Sequence, residues 1–411
     1  MKNYDIIVAG GGASGLCAAI EAKRTAPGLR VAVLEKLPRA GKKLLATGNG
    51  RCNMTNFHAS EKNYNAPDFV RHAINVYSVK SNLDFFRSMG LLTVSDGEGR
   101  VYPMSGTAAS VVDALRFEAR RLNVEMICDT PVSSAEKSGG RFVLNGDYEA
   151  ARLILSTGGR ASPAHGSDGS GYQLLAALGH RVTDVFPSLV QIRADSAFTR
   201  PLKGIRVSAG IEIHIGGRCA DESSGEILFT DYGLSGIAAM EVSRVVSAWQ
   251  NGSKKERCTA VLCMIPALTR SEATDFIAET TRRDPSLAIE DLLTGVLPKR
   301  LAQAVCKGVL PYKLTDPAGK LTTPQILALS NEIKGKSIDV QGVNGFAEAQ
   351  VTAGGGALDG FDSATMMSRK IENLYACGEL LDVDGGCGGY NLQWAWSSGR
   401  LAGRSAAMLE I

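Results

Sequence analysis

Apolar residues fill most of Tyr4-Asp5-Ile6-Ile7-Val8-Ala9, a run too short for a helix and bounded by glycine, which predicts a buried strand over 4–9. A helical period takes over at 13–25, a Pro27-Gly28 turn stops it, and a second apolar strand follows over 30–35. Strand, helix and strand in that order make a parallel pair with a crossover helix. Residues 39–56 lack an apolar period and predict a polar, glycine-bearing loop. Helical patterns return at 67–89 and 107–122, followed by a strand over 124–128. Alternating stretches at 132–136 and 141–144, split by Ser138-Gly139-Gly140 and followed by Asn145-Gly146, predict a small antiparallel meander. The strand over 152–156 then runs into Thr157-Gly158-Gly159.

From about 190 to 262 the period becomes two, with strands expected at 207–215, 226–229 and 259–264 and a helix at 235–250 between them. Short helices are expected at 271–283, 287–293 and 299–307, while Pro311, Pro317 and Pro324 mark looser connections. Strand signals reappear at 337–340, 347–352 and 374–377, and a C-terminal helix is expected over 393–409.

Composition narrows the function classes. A net charge of +3 over 411 residues, without a Lys/Arg block, does not indicate a nucleic-acid partner. The longest apolar runs fall far short of the roughly 20 residues that span a bilayer. Nine irregularly spaced cysteines and no signal peptide read as reduced thiols of a cytoplasmic protein. The five histidines are scattered, no Cys/His set has zinc spacing, and no metal is expected.

The chemistry begins at Gly10-Gly11-Gly12-Ala13-Ser14-Gly15. Gly10 allows a tight turn, Gly12 lets backbone approach a pyrophosphate, and Gly15 lets the helix pack on the strand. The helix N-terminus favours phosphate, and Glu35, closing the second strand, is placed to accept from ribose hydroxyls. The order of elements resembles the FAD-binding domains of glutathione-reductase-like flavoproteins, and the resemblance implies that Asn49-Gly50-Arg51-Cys52-Asn53, preceded by Lys42-Lys43, lies where a loop passes the isoalloxazine end of a flavin. Cys52 has no partner at redox spacing, and Cys258 and Cys263, at i and i+5 of a strand, point to opposite faces. A third constellation runs from Cys377-Gly378-Glu379 through Asp382 to Gly388-Gly389-Tyr390-Asn391-Leu392, ahead of a helix bearing Trp394 and Trp396. Gly-plus-acid there suits a ribityl chain or pyrophosphate, and the helix N-terminus suits the flavin pyrimidine ring. Gly166-Ser167-Asp168-Gly169-Ser170-Gly171 lacks a preceding apolar strand and reads as a turn and cap, which leaves one Rossmann unit. Trp394 and Trp396 read as packing residues.

The motifs at 10–15, 47–56, 229–236 and 388–395 together resemble the bacterial flavoprotein family that includes aminoacetone oxidases and bile-acid enone reductases of the BaiN type, over essentially the whole chain. The resemblance implies an α/β protein. Its Rossmann-like, glutathione-reductase-like FAD-binding domain would carry an inserted β-rich substrate domain and a small helical subdomain. The expected boundaries are 1–190 and 346–411 for the FAD domain, 191–265 and 321–345 for the substrate domain, and 266–320 for the helical part. The residues expected at the cofactor are Gly10, Gly12, Ala13, Ser14, Gly15, Glu35, Lys36, Lys43, Gly50, Arg51, Cys52, Asn53, Val132, Thr157, Gly158, Gly378, Glu379, Asp382, Gly389, Asn391 and Leu392. Many relatives would carry His at 231 and Pro at 237, where this chain has Asp231 and Ile237, so a role for that His does not carry over. The implied activity is transfer of hydride from NAD(P)H, a transient reductant, through FAD to an electron-poor C=C bond of a small-molecule enone. An aminoacetone-type amine oxidase and a flavin-binding protein without turnover are the alternatives. Arg51, Tyr232 and Tyr390 are the candidate catalytic residues, the tyrosines as proton donors by polarity and loop position.

Overall fold

The strand Lys2–Ala9 is flanked by parallel partners on both sides, Val31–Leu34 and Tyr148–Leu155, with Ile7 opposite Ala32 and Leu153. Ile6, Ile7, Val8 and Ala9 are all fully buried, as a central parallel strand covered on both faces requires. In this computed structural model, which describes residues 1–252 and 256–408, the chain divides into two units. One combines Met1–Pro187 with Ala349–Ile411, and the other is Ser188–Glu348.

The first unit is built on a seven-stranded sheet. Glu125–Ile127 lies outside Val31–Leu34, and Leu374–Ala376 extends the parallel set beyond Tyr148–Leu155. The antiparallel pair Ala135–Ser138 and Arg141–Leu144 completes the sheet through the early half of Tyr148–Leu155. The architecture is Rossmann-like, and the last parallel strand comes from the far end of the chain. Helix Ala13–Thr25 covers the sheet, and helix Tyr390–Met408 packs on it at unusually short range. A Cβ on Gly399 or Gly403 would collide with the carbonyl oxygens of Ser14 and Ala18. Position 409, expected in that helix, lies outside the described residues.

The second unit holds a closed six-stranded barrel, Ile192–Ala194, Gly233–Ser235, Arg218–Phe229, Arg206–Ile215, Cys258–Cys263 and Lys336–Val343 in spatial order. Alternation fills its interior: Ala209, Ile211, Ile213, Ile227, Phe229, Ala260, Leu262 and Ile338 are buried. Helices Arg270–Arg283, Lys299–Val309 and Thr323–Gly335 belong to the same unit.

Several element expectations change. The pattern at 67–89 divides into Pro67–Val76 and Val79–Ser88, because the Ser78 hydroxyl caps a new helix by accepting from the Ser81 N–H. The pattern at 235–250 divides into Ile237–Glu241 and Ser243–Asn251. Residues 287–293 form a single 3-10 turn, Ile289–Asp291. The expected loop at 39–56 contains a short helix, Lys42–Ala46. The largest correction is Pro324, which starts a helix. It stands in the first turn, where its missing N–H costs nothing, beside a Thr322/Gln325 capping box. Strand Arg218–Phe229 begins well before its expected start at 226, since its polar first half is held by the ladder to Arg206–Ile215 and not by burial.

Candidate functional site

Five parallel strands of the first unit end on one edge of the sheet, and that edge gathers Gly10, Glu35, the segment after Ile127, Thr157-Gly158 and Gly378. The winding reverses between Lys2–Ala9 and Tyr148–Leu155, which opens a crevice outside the strand ends, the usual ligand position in such sheets. Gly10 has φ +106°, and a Cβ there would lie 2.6 Å from the Ser156 carbonyl oxygen. A Cβ on Gly15 would collide with the Gly10 carbonyl oxygen. Gly12 differs: nothing lies within 4 Å of where its Cβ would be. Turn and helix packing use two of the glycines, and the third faces open space at the N-terminus of Ala13–Thr25. There the first-turn N–H groups have no partner within the helix.

Glu35 is buried, its Oε2 accepting from the Gly11 N–H and its Oε1 from the Leu37 N–H, both at 2.8 Å. One bond per oxygen leaves lone pairs to accept from two hydroxyls. Next to it, Lys36 pairs with Asp168 at 2.8 Å. Partial burial works against the Asp168 carboxylate, but Lys36 and the Ser170 hydroxyl and N–H outweigh it and hold the pKa at about 2. Asp168 thus accepts from the Ser170 N–H and hydroxyl in the turn that leads into helix Ser170–Ala177, whose N-cap is Gly169. Val132, half-buried, follows the strand Glu125–Ile127 next to Glu35.

On the other side of the crevice, Lys43 pairs with Glu379 at 2.8 Å, and the second Glu379 oxygen accepts from the Thr352 N–H. The Thr352 hydroxyl in turn accepts from the Arg160 and Ala161 N–H groups. Asp382 accepts from Asn65 at 3.2 Å and from the Thr183 hydroxyl at 3.0 Å. Gly378, at φ +69°, lies so close to Ser14 that a Cβ would strike its hydroxyl. Among the described residues, the buried Thr157 Oγ1, Ser167 Oγ and Asn53 Oδ1 have no hydrogen-bond partner. Such atoms are costly unless something satisfies them, and they mark where a bound group fits.

The 47–56 loop is wound through left-handed backbone at Gly48, Asn49, Gly50 and Cys52. Burial pushes the Cys52 thiol up to about 11, so it is no thiolate nucleophile, and among the described residues no cysteine forms a disulfide. The Arg51 guanidinium lies over the Tyr102 ring, 4.3 Å from its centroid. The C-terminal helix reaches back to this loop. The Trp396 indole donates to the Met54 carbonyl at 2.8 Å, and the Thr55 hydroxyl donates to Gln393 Oε1 at 2.7 Å. The Trp394 indole donates to the Gly378 carbonyl, whose own N–H donates to the Ser398 hydroxyl. Both tryptophans are buried packing residues.

A Cβ on Gly389 would lie 2.7 Å from the Thr55 carbonyl oxygen. Asn391 spends its side chain on the Gly385 and Gly386 backbone, so what it and Leu392 offer a ligand is first-turn N–H. The Tyr390 carbonyl accepts from the Tyr64 hydroxyl. Tyr232 stands in the second unit, exposed on the turn before Gly233–Ser235. Its neighbour Asp231 is held below the usual carboxylate range by Lys203, 2.6 Å away, which makes it a poor proton donor.

The structure therefore brings the cofactor candidates to one edge of the first unit, and Tyr232 lies outside it. Sequence reading missed Thr352, Gln393 and Ser398. Their signal was faint: polar residues at buried positions of a helix and a strand, where only a specific hydrogen bond keeps them.

Residues 4–405 match the family described as the HI0933-like protein Rossmann domain. The chain is 37% identical over 405 residues to the 3-dehydro-bile acid delta(4,6)-reductase of Clostridium scindens, covering 97% of this chain and 98% of that protein. It is 29% identical over 408 residues to the ribosomal RNA dihydrouridine synthase of Escherichia coli, covering 97% and 96%. In fold it resembles a quinol-fumarate reductase solved with menaquinol, at TM-score 0.51 and 16% identity over 99% of this chain and 71% of that one.

Proposed function

The chain belongs to the HI0933-like family and is an FAD-dependent oxidoreductase, and on that premise we propose that it reduces a C=C bond conjugated to a carbonyl in a small polycyclic enone, with NAD(P)H as the transient hydride donor. The full-length 37% identity to a delta(4,6)-reductase carries this reading. The dihydrouridine synthases name the same chemistry, since dihydrouridine is uridine with its C5=C6 bond reduced. An RNA substrate would call for a basic face. With a net charge of +3, and with Lys and Arg nearly balanced by Asp and Glu over 188–348, the small enone is favoured.

FAD fits the glycine edge. The Gly10–Gly15 turn and the N-terminus of Ala13–Thr25 would take the pyrophosphate, Glu35 the ribose, and Lys36 and Val132 the adenosine end. Thr157, Gly158, Gly378, Glu379, Asp382 and Lys43 would line the middle. Gly50, Arg51, Cys52 and Asn53, with Gly389, Asn391 and Leu392, would surround the ring end. The bound flavin supplies a two-electron relay from nicotinamide to the electron-poor carbon. The protein's part is to place first-turn N–H groups and Arg51 where negative charge develops. The Tyr390 hydroxyl would give the proton to the adjacent carbon.

Anaerobic mixing of the purified yellow protein with NADH, NADPH or aminoacetone, followed by flavin absorbance, tests the proposal. Bleaching by a nicotinamide and recovery on adding a 3-oxo-4,6-diene steroid is expected. Bleaching by the amine alone would make it an amine oxidase. Recovery with ribosomal RNA but not with the steroid would move the substrate to RNA.

A further inference from the structure

We propose that the outer face of the barrel's long hairpin binds one Zn2+ ion through Glu212, His214 and Cys219. The site lies wholly within the second unit and uses none of the residues proposed for FAD. On strand Arg206–Ile215, Ile211 and Ile213 point into the barrel, so Glu212 and His214 share the outward face. The ladder sets His214 directly opposite Cys219, and a register shift between Ile213 and His214 marks this point. One ligand atom from each of the three residues lies within 4.8 Å of the others, and His214 Nε2 is 2.7 Å from Glu212 Oε2. Zinc–ligand bonds of about 2.0–2.3 Å set tetrahedral donors about 3.3–3.8 Å apart, so the His214–Glu212 pair would open and the wider separations close, by small rotations of half-exposed side chains.

Charge points the same way. Glu222 stands directly across the ladder from Glu212, an arrangement that destabilises a sheet unless a cation lies beside it. Thiolate with imidazole selects zinc over magnesium or calcium, which take oxygen donors, and water would complete a tetrahedron. The ion would join both arms of the hairpin where residues 218–226 contribute no buried side chain, fastening the polar half of Arg218–Phe229.

The test is equilibrium dialysis of the chelator-stripped, phosphine-reduced full chain against Zn2+, with His214→Ala and Cys219→Ser alongside and zinc-edge X-ray absorption on the loaded protein. One zinc per chain with one sulfur scatterer is expected. Each substitution should weaken binding beyond the roughly 10–100-fold cost of losing an outer partner of a ligand. Equal zinc uptake by the parent and both variants, or a loaded site without sulfur, would overturn the assignment.

Discussion

At the glycine edge of the first unit, backbone meets backbone; in the barrel of the second, side chains fill an interior. Gly10 against Ser156, Gly15 against Gly10, Gly389 against Thr55 and Gly399 against Ser14 leave no room for even one carbon. The barrel asks only that Ala209, Ile211, Ile213, Ala260 and Leu262 be apolar and of suitable size. A requirement that one residue type alone can meet is visible in a sequence, whereas one that many types can meet is not. Hence the glycine edge of the first unit can be read residue by residue from its letters, whereas the barrel of the second shows only its alternation.

The sharpest way to break this contrast is inside the glycine turn itself. Gly15→Val should prevent folding of the first unit, since the added carbons meet the Gly10 carbonyl with nowhere to move. Gly12→Ala should fold and melt like the parent apoprotein, because its Cβ enters open space, yet retain at least about tenfold less FAD, equivalent to about 1.4 kcal/mol. Soluble expression, thermal melting and the flavin-to-protein absorbance ratio decide it. If Gly15→Val were folded and yellow, or Gly12→Ala kept its full FAD, the division of labour among these glycines would be wrong.

A smaller but still large effect is expected at Arg400, the polar tie of the C-terminal helix. Its guanidinium bonds Glu21 at 2.9 Å and Asn82 at 3.0 Å and lies over the Tyr77 and Phe85 rings. Arg400 and Glu21 are only 10% and 13% exposed. Arg400→Leu strands the Glu21 carboxylate and should cost about 3–5 kcal/mol in denaturant unfolding. The barrel pairs Lys203–Asp231 and Arg257–Asp339 are far more open to water, and removing either should be near neutral. Equal losses in both units would erase the distinction.

The same logic accounts for what the sequence concealed. Pro324 was misread because proline both ends helices and begins them, and only the Thr322/Gln325 box tells which. Residues 218–225 carry no alternation, so their strand exists through its partner and nothing local announces it. Glu35 could be read because it closes an apolar strand at a fixed distance from the glycines. Glu379 follows a strand end that its apolar run announces, but its bond to Lys43, 336 residues away, is a product of the fold. Thr352 was not read at all, since a threonine in a three-residue strand looks like any other.

The mildest prediction tests the barrel side of the contrast. Ile213 is fully buried, on the strand whose outward neighbours are Glu212 and His214. Ile213→Val removes one methylene from a packed interior and should cost about 0.5–1.5 kcal/mol, the transfer term plus a small cavity. Because no backbone clash fixes the position, the barrel should close with the same ladder and the FAD content should not change. Denaturant midpoints and the flavin absorbance ratio read both quantities on one sample. A loss of FAD with the small stability loss would mean that the interior of the second unit constrains the cofactor end of the first. The separation between a unit specified by its glycines and a unit specified by volume would then give way to a single coupled structure.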